Sequence, residues 1–339
     1  MNQDQLSKVA LAMVARGKGI LAADESNATI KKRFDAIGVE STETTRRDYR
    51  EFMFRSQAMR ENISGVILYD ETIRQNAKDG TPLVKLIEAA GALPGIKVDT
   101  GAHPMPFFPG ETITEGLDGL PKRMAAYYEL GARFAKWRAV IHIAGDKPTG
   151  GAVRANMQAL ARYAAICQQA NIVPIVEPEV LMDGAHSLER NFEVTRYVLQ
   201  TLYQELFGHR VFLEGTVLKP NMVVPGEDAA KKASPEEVAA WTIRLFREAV
   251  PAAVPGIAFL SGGQADVEAT ANLNAINRLG PQPWPITFSY GRALQAAAQK
   301  AWSGKEANVL AGQAAFNHRA KMNGLAAKGE WSEAAEAAV

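Results

Sequence analysis

A lysine at the end of an apolar segment is the residue of this sequence with the clearest potential for chemistry. Lys219 closes the β-prone segment 211–219 and directly precedes Pro220. Proline cannot donate to a β-ladder, so we expect the strand to end there. Burial disfavours an ammonium charge and thereby favours a neutral amine, the nucleophile that forms Schiff bases with carbonyl compounds. The alternative is a lysine that extends from a strand end into solvent.

Other polar side chains lie in or just after apolar, β-prone segments: Asp24, Asp70, Lys97, Lys136, Arg138, Glu177, Glu179, Ser261 and Ser289. Strands that are buried on both faces are nearly all apolar, so charged residues inside them need one another or a ligand. Lys136, Glu177 and Lys219 come from consecutive strands, and we expect their side chains to meet. Lys136 would then lower the pKa of Lys219, and Glu177 would move protons. A purely structural ion-pair network is the alternative, as is helix capping for the segment 24–26.

Two glycine motifs have the features of anion sites. Ser261-Gly262-Gly263 and Gly291-Arg292 each follow a predicted strand and precede a predicted helix. Glycine lets the backbone approach a ligand closely, and the N–H groups at a helix N-terminus bind phosphate. Arg292 adds a side chain suited to bidentate contact with phosphate. Ordinary glycine turns are the alternative, but two such motifs after the last two strands favour phosphate binding.

The order of elements predicts one α/β domain, residues 1–339, built as a single (β/α)8 TIM barrel with extra N- and C-terminal helices. Eight apolar segments alternate with helical ones, at 19–26, 63–69, 95–99, 133–143, 172–180, 211–219, 256–261 and 285–290. We expect a long loop at 100–114, one helix over 42–60 and a mobile tail at 328–339. A doubly wound open sheet is the alternative fold. In a barrel, the carboxyl ends of all strands form one face, where active sites lie.

Composition narrows the classes of function. The chain has 339 residues, 47% of them hydrophobic, and a formal net charge of +1 without a long basic run, which gives no support for binding to nucleic acid or a membrane surface. Cys167 is the only cysteine, so an internal disulfide is excluded. The five histidines show no metal-binding spacing, and no nucleotide-binding fingerprint occurs, so we expect no metal and no cofactor. The N-terminus lacks an apolar signal region, which predicts a cytoplasmic protein.

Eight segments resemble those of class I fructose-1,6-bisphosphate aldolases, the Schiff-base-forming enzymes of glycolysis and gluconeogenesis. They read GKGILAADES, GIKVD, GLDGL, FAKWR, IVPIVEPE, LEGTVLKPNM, LSGGQ and FSYGRALQ, and the resemblance runs from about Lys18 to Ala301. The resemblance implies reversible cleavage of fructose 1,6-bisphosphate to dihydroxyacetone phosphate and glyceraldehyde 3-phosphate by a cytoplasmic homotetramer. A lysine-dependent aldolase of another sugar phosphate, or a sugar-phosphate-binding or scaffold barrel without turnover, are the alternatives.

The resemblance also implies a role for individual residues. Lys219 matches the Schiff-base lysine, and Glu177 the acid/base that forms and hydrolyses the imine. Asp24 matches the aspartate that handles the C4 hydroxyl proton, Lys136 a lysine that stabilises charge beside the imine, and Glu179 a supporting carboxylate. For one phosphate the resemblance implies Ser261, Gly262, Gly291 and Arg292, and for the other Ser26, Thr29, Arg33 and Lys97, with Arg138 lining the same cleft. Gly263 and Ser289 are expected among the substrate and phosphate ligands as well.

The sequence departs from the animal enzymes at three places. Thr29 replaces a serine, and Thr100 stands where lysine is common. The animal enzymes end in a tyrosine that assists proton exchange on the enamine of dihydroxyacetone phosphate, whereas the last residue here is Val339. We expect Glu177, or water, to take over that step. The preference between fructose 1,6-bisphosphate and fructose 1-phosphate stays open.

Overall fold

The computed structural model describes residues 1–338. Its helices are α1 Gln3–Met13, α2 Asn27–Asp35, α3 Glu43–Phe54, α4 Ala58–Glu61, α5 Asp70–Ile73, α6 Leu83–Ala89, α7 Leu120–Glu129, α8 Gly150–Gln169, α9 Leu188–Gly208, α10 Pro235–Ala249, α11 Asp266–Arg278, α12 Arg292–Trp302, α13 Val309–Ala326 and α14 Glu333–Ala337. Its strands are β1 Gly19–Ala23, β2 Ile63–Leu68, β3 Leu93–Lys97, β4 Gly101–Pro104, β5 Thr112–Glu115, β6 Phe134–Ile141, β7 Val173–Val180, β8 Val217–Leu218, β9 Ile257–Phe259 and β10 Ile286–Tyr290. None of the described helices is at once long and apolar enough to cross a bilayer.

Eight parallel strands close into a barrel in the order β1-β10-β9-β8-β7-β6-β3-β2. Strand β1 pairs with β2 on one side and with β10 on the other, which completes the ring. The longest ladder joins β6 to β7, from Phe134 opposite Val173 to Ile141 opposite Val180. The predicted (β/α)8 TIM barrel is therefore confirmed, and the alternative open sheet is wrong.

Alternate residues of the strands divide the core into two parts. Ile20, Phe134, Ile175 and Val217 belong to a cluster inside the barrel, which α1 completes by packing its apolar face onto it. Leu21 and its counterparts in the other strands point outward and pack against the surrounding helices. Strand alternation thus fills the barrel from within while the helices cover it from outside, so charged side chains find room only at the ends of the strands.

Several helices start where a hydroxyl side chain caps their first turn. Ser26 accepts a hydrogen bond from Thr29 N at the start of α2. Ser234 and Glu237 form a reciprocal capping box at the start of α10, with proline at the first helical position. The capping role considered for the segment 24–26 is therefore present at Ser26.

Three local predictions are wrong. The expected loop at 100–114 contains a hairpin of β4 and β5, because Thr112–Glu115 has β-prone residues while Pro106, Pro109 and Gly110 form the connection. The expected strand 211–219 forms only over Val217–Leu218, because the side chain of Gln168 bonds both backbone groups of Phe212 and thereby replaces a ladder. The expected helix 42–60 divides into α3 and α4, where Asn317 accepts from Ala58 N at 2.8 Å.

The C-terminal segment folds back onto α13. Glu336, in α14, pairs with Arg319 and lies 3.1 Å from His318 Nε2. Trp331 adds two bonds, donating from Nε1 to Glu336 at 2.9 Å and from its backbone N to Asn274 at 3.0 Å. These contacts fasten residues 331–337 to the barrel. Mobility of residues 328–339 in solution stays a prediction, as does the assignment of residues 1–339 to one catalytic domain.

Replacement of Gly95 by alanine should destabilise the barrel. A Cβ at Gly95 would lie 2.3 Å from ring atoms of Phe134, which is fully buried and has no free space to move into. We expect Gly95→Ala to lower the free energy of unfolding by about 2 kcal/mol, the usual cost of overpacking. Gly208→Ala is the matched control, because a Cβ there meets no described atom within 4 Å. Equal denaturant midpoints for the two variants would contradict this account.

Candidate active site

Four charged side chains form a continuous chain at the carboxyl ends of the strands. Lys219 Nζ lies 3.2 Å from Glu177 Oε1, and Lys136 Nζ lies 3.4 Å from Glu177 Oε2. Lys136 also pairs with Asp24 Oδ2 at 2.8 Å. The lysine and glutamate side chains are only 5–6% exposed, and that of Asp24 is 13% exposed. The structure thus brings together the four residues that sequence analysis assigned to chemistry.

The strands explain this convergence. Lys136 and Arg138 are two residues apart on β6, and Glu177 and Glu179 are two apart on β7, so each pair points to the same face. Lys219 directly follows β8, where its backbone N donates to Val176 O at 2.9 Å. Asp24 directly follows β1, across the barrel mouth. Three neighbouring strands and one from across the barrel therefore supply the site.

The charges in this chain shift one another's pKa values. Burial raises the pKa of Asp24, but Lys136, Lys97 and Lys219 outweigh it and hold the pKa well below its usual range. Burial likewise raises the pKa of Glu177, and Lys136 and Lys219 again hold it below its ordinary value. Burial lowers the pKa of Lys136, yet Asp24 and Glu177 outweigh it and raise that pKa. The shifts therefore favour ionised carboxylates at Asp24 and Glu177 and a protonated amine at Lys136.

The loop after β9 and the loop after β10 form one side of the cleft. Gly262 and Gly263 have φ angles of 54° and 97°, a conformation that favours glycine. A Cβ added at Gly263 would lie 3.0 Å from the sulfur of Met182 and 3.9 Å from Arg292 Nη2. Gly291 precedes α12, whose first residue is Arg292. Backbone N–H groups and a guanidinium are thus available to an anion without an intervening side chain.

The other side of the cleft is built from the start of α2 and from β3. Ser26 and Thr29 place their hydroxyl oxygens 3.1 Å apart. Arg33, one turn further along α2, pairs with Glu25. The ammonium of Lys97 lies 5.1 Å from the centre of the Tyr69 ring. These hydroxyl and cationic groups form a second cluster suited to an anion.

All sixteen residues that the sequence assigned to the site lie in a single cleft of about 680 Å³. Ser289 is buried there, with no hydrogen-bond partner for its hydroxyl among the described residues. Glu179 pairs with Arg138. Asp70, also considered at the sequence level, does not line the cleft; it begins α5 and pairs with Arg74 and Tyr127 instead.

Sequence analysis did not identify three polar residues in or next to the cleft, Asp99, Arg50 and Glu71. Asp99 accepts from the backbone N of Arg138 at 3.4 Å and lines the cleft. Its position just after β3 was a signal that could have identified it. Arg50 lies on α3 and Glu71 on α5, where no local pattern distinguishes them from surface charges. Across residues 1–338, no group of three or more His, Cys, Asp or Glu side chains is arranged to hold a metal ion.

Fold and site together define a (β/α)8-barrel protein whose cleft combines a buried lysine, paired with a glutamate, with two clusters of groups suited to anions. The family model described as fructose-bisphosphate aldolase class-I matches residues 5–339. A probable class 1 fructose-bisphosphate aldolase of Xylella fastidiosa is 53% identical over 332 residues, covering 98% of this chain and 99% of the relative. Fructose-bisphosphate aldolase C of Rattus norvegicus is 53% identical over 329 residues, covering 96% and 91%.

A solved structure of fructose-bisphosphate aldolase from Plasmodium falciparum superposes with a TM-score of 0.96 at 47% identity, covering 97% of this chain and 96% of that one. The chain belongs to the class-I fructose-bisphosphate aldolase family. It is an aldehyde-lyase that reversibly cleaves fructose 1,6-bisphosphate to dihydroxyacetone phosphate and glyceraldehyde 3-phosphate.

Removal of the central cation should destabilise the protein in a pH-dependent manner. Lys136→Met leaves Asp24 and Glu177 buried without the ammonium between them, so we expect a loss of about 3 kcal/mol or more near pH 8. The pKa of Asp24 lies below its unfolded value in the native protein, and without Lys136 it should rise above that value. The folded variant then takes up a proton at low pH. Its loss of unfolding free energy relative to the parent protein is therefore smaller at pH 5 than at pH 8.

Urea unfolding of Lys136→Met at pH 5 and pH 8 measures this difference. The control is Lys31→Met, which removes a lysine from an exposed pair whose side chains are 61% and 53% accessible. Such pairs contribute roughly 0–1 kcal/mol, so the control should show little loss at either pH. A penalty for Lys136→Met that is independent of pH would refute the coupling to buried carboxylates.

Proposed function

We propose that Lys219 is the nucleophile and that cleavage proceeds through its Schiff base with the C2 ketone of fructose 1,6-bisphosphate. The observation that carries this proposal is the contact of 3.2 Å between Lys219 Nζ and Glu177 in a buried cleft. An amine needs a base to remove its proton before attack and an acid to expel water afterwards. Glu177 is within reach for both transfers.

The remaining groups of the chain support the later steps. Attack of Lys219 on C2 and loss of water give a protonated imine. Asp24 then accepts the proton of the C4 hydroxyl, the C3–C4 bond breaks, and its electron pair moves into the imine to give an enamine. Glyceraldehyde 3-phosphate leaves as the aldehyde. Protonation of the enamine at C3 and hydrolysis by water then release dihydroxyacetone phosphate and restore the amine.

Lys136 is proposed to stabilise the negative charge that develops beside the imine, because its cation lies between Asp24 and Glu177. Glu179, paired with Arg138, supports the same wall of the cleft. One phosphate is proposed to bind at the glycine loops with Arg292, and the other at Ser26, Thr29, Arg33 and Lys97. The reacting carbons would then lie between two fixed anchors, which reduces the entropy cost of reaction.

We further propose a cytoplasmic homotetramer. Support for the tetramer comes from the family resemblance, and sedimentation velocity measures it directly. Support for the location comes from a relative in Arabidopsis thaliana, which is named fructose-bisphosphate aldolase 4, cytosolic, and is 54% identical over 314 residues. These steps use neither a metal nor an organic cofactor.

Borohydride reduction in the presence of dihydroxyacetone phosphate tests the nucleophile. We expect a stable adduct on Lys219, identified by peptide mass spectrometry, and activity that is unaffected by EDTA. Lys219→Met should form no adduct and lose activity by about 10⁴-fold or more, as when a nucleophile that acts within a unit is deleted. Lys97→Met is the control, since it removes a different cleft lysine and should retain the adduct. An adduct on another lysine, or inhibition by EDTA without an adduct, would overturn the proposal.

A C-terminal truncation tests which group protonates the enamine. None of the described residues 331–338 lines the cleft, since Glu336 joins this segment to Arg319 instead. We therefore expect deletion of residues 330–339 to leave C3 proton exchange of dihydroxyacetone phosphate within about threefold of the parent rate, measured by NMR in deuterium oxide. Glu177→Gln should slow it by about 10²-fold or more, the usual contribution of a general acid–base. Collapse of exchange in the truncated protein would refute the role of Glu177 or water.

A further inference from the structure

Behind the second anion cluster, one buried glutamate lies between two arginines. Glu25 is 6% exposed. Its Oε1 accepts from Arg33 Nη1, and from Gln295 Nε2 at 2.9 Å. Its Oε2 has no hydrogen-bond partner among the described residues, and lies 3.8 Å from Arg50 Nη2. Only one side of this carboxylate is therefore satisfied, and Arg33 supplies the charge that satisfies it.

Arg50 is the charged group that remains incompletely paired. It lies on α3, its side chain is 0% exposed, and its Nη2 donates to the backbone oxygen of Glu25 at 3.0 Å. Its Nε and Nη1 have no hydrogen-bond partner within the described chain. Glu71 is 3.8 Å away, but Arg46 already binds both of its oxygens, at 2.8 and 2.6 Å. Arg50 is thus held beside Glu25 without a close carboxylate of its own.

Arg33 cannot serve Glu25 and a phosphate equally well. Its side chain is 23% exposed, whereas that of Glu25 is 5% exposed. It lines the cleft and lies on α2, the helix whose start carries the Ser26 and Thr29 hydroxyls. A dianionic phosphate attracts the guanidinium away from Glu25. That movement would leave a buried carboxylate without a counterion, a costly state unless another cation replaces the first.

We propose that Arg50 is a positioning residue. It pairs with the carboxylate of Glu25 when Arg33 turns from Glu25 to the substrate phosphate that is remote from the C2 ketone. The inference rests on the proposed function and extends it to the binding of this second phosphate. Arg50 Nη2 and Glu25 Oε2 need to approach by only about 1 Å to reach the distance of a charge-assisted hydrogen bond. The unpartnered Oε2 of Glu25 is the group that this exchange would satisfy, through the second N–H of Arg50 Nη2, beside the one donated to Glu25 O.

The charges of this cluster agree with such an exchange. Three arginines, Arg33, Arg46 and Arg50, surround the two glutamates Glu25 and Glu71, so one positive charge is in excess. Burial lowers the pKa of Arg50, and Glu25 and Glu71 oppose that effect. A closer contact between Arg50 and Glu25 in the substrate complex would stabilise the buried guanidinium charge further. The excess positive charge then becomes available to the phosphate through Arg33.

Steady-state kinetics with two substrates tests the exchange. We expect Arg50→Met to raise the KM for fructose 1,6-bisphosphate about tenfold with kcat within about twofold, the pattern of a lost binding contribution. Fructose 1-phosphate lacks the phosphate that Arg33 would bind, so its kcat/KM should stay within about twofold. Arg50→Lys keeps the charge but loses the planar fork, and should raise the KM for the bisphosphate only about threefold. Circular dichroism confirms that each variant is folded.

A double-mutant cycle separates this role from a merely structural one. Glu25→Gln removes the negative charge that retains Arg33, so adding Arg50→Met to it should change the KM by less than about twofold. The proposal is overturned if Arg50→Met harms both substrates equally, or if its tenfold effect persists in the Glu25→Gln background. Wild-type kinetics for both Arg50→Met and Arg50→Lys would overturn it as well. Failure of the Schiff-base proposal shows separately, as the absence of a borohydride adduct on Lys219.

Discussion

The rest of the structure depends on the buried chain of opposite charges that runs from Asp24 through Lys136 and Glu177 to Lys219. Each member alone would be costly to bury, because desolvation disfavours its charged form. Together they alternate in sign at distances of 2.8–3.4 Å, so each charge compensates its neighbours. A site of this kind exists only while its members are held in register. The barrel supplies that register.

The barrel performs this task through two geometric properties. Parallel strands align their carboxyl ends, so side chains from β6, β7 and β8 reach one face although they are some 40 residues apart in sequence. The interior below that face is filled by the buried side chains of Phe134, Ile175 and Val217, so the charged side chains lie above an apolar layer. A rigid apolar floor and a polar upper layer thus arise from the same alternation along each strand.

The two clusters that we propose to bind the phosphates differ in construction. The glycine loops after β9 and β10 offer backbone groups that need no rearrangement. The cluster around Arg33 is a network of guanidinium and carboxylate groups that extends through Glu25 to the fully buried Arg50. Under this proposal the first cluster binds an anion without rearrangement, and the second exchanges partners when an anion arrives. This difference gives the two ends of a bisphosphate distinct energetic roles.

The sequence by itself determined the barrel, its eight strands and the four residues of the charge chain, because alternation, proline and glycine signals are local and charged residues in or just after apolar strands are conspicuous. It could not show that β8 shrinks to Val217–Leu218, because the bonds from Gln168 to Phe212 join residues 44 apart. The hairpin of β4 and β5 was not predicted for a different reason: Pro and Gly residues occur in long loops as well as in the turn of a hairpin. Arg50 and Glu25 became partners only through the packing of α3 against the cleft, and contacts between distant elements leave no local pattern.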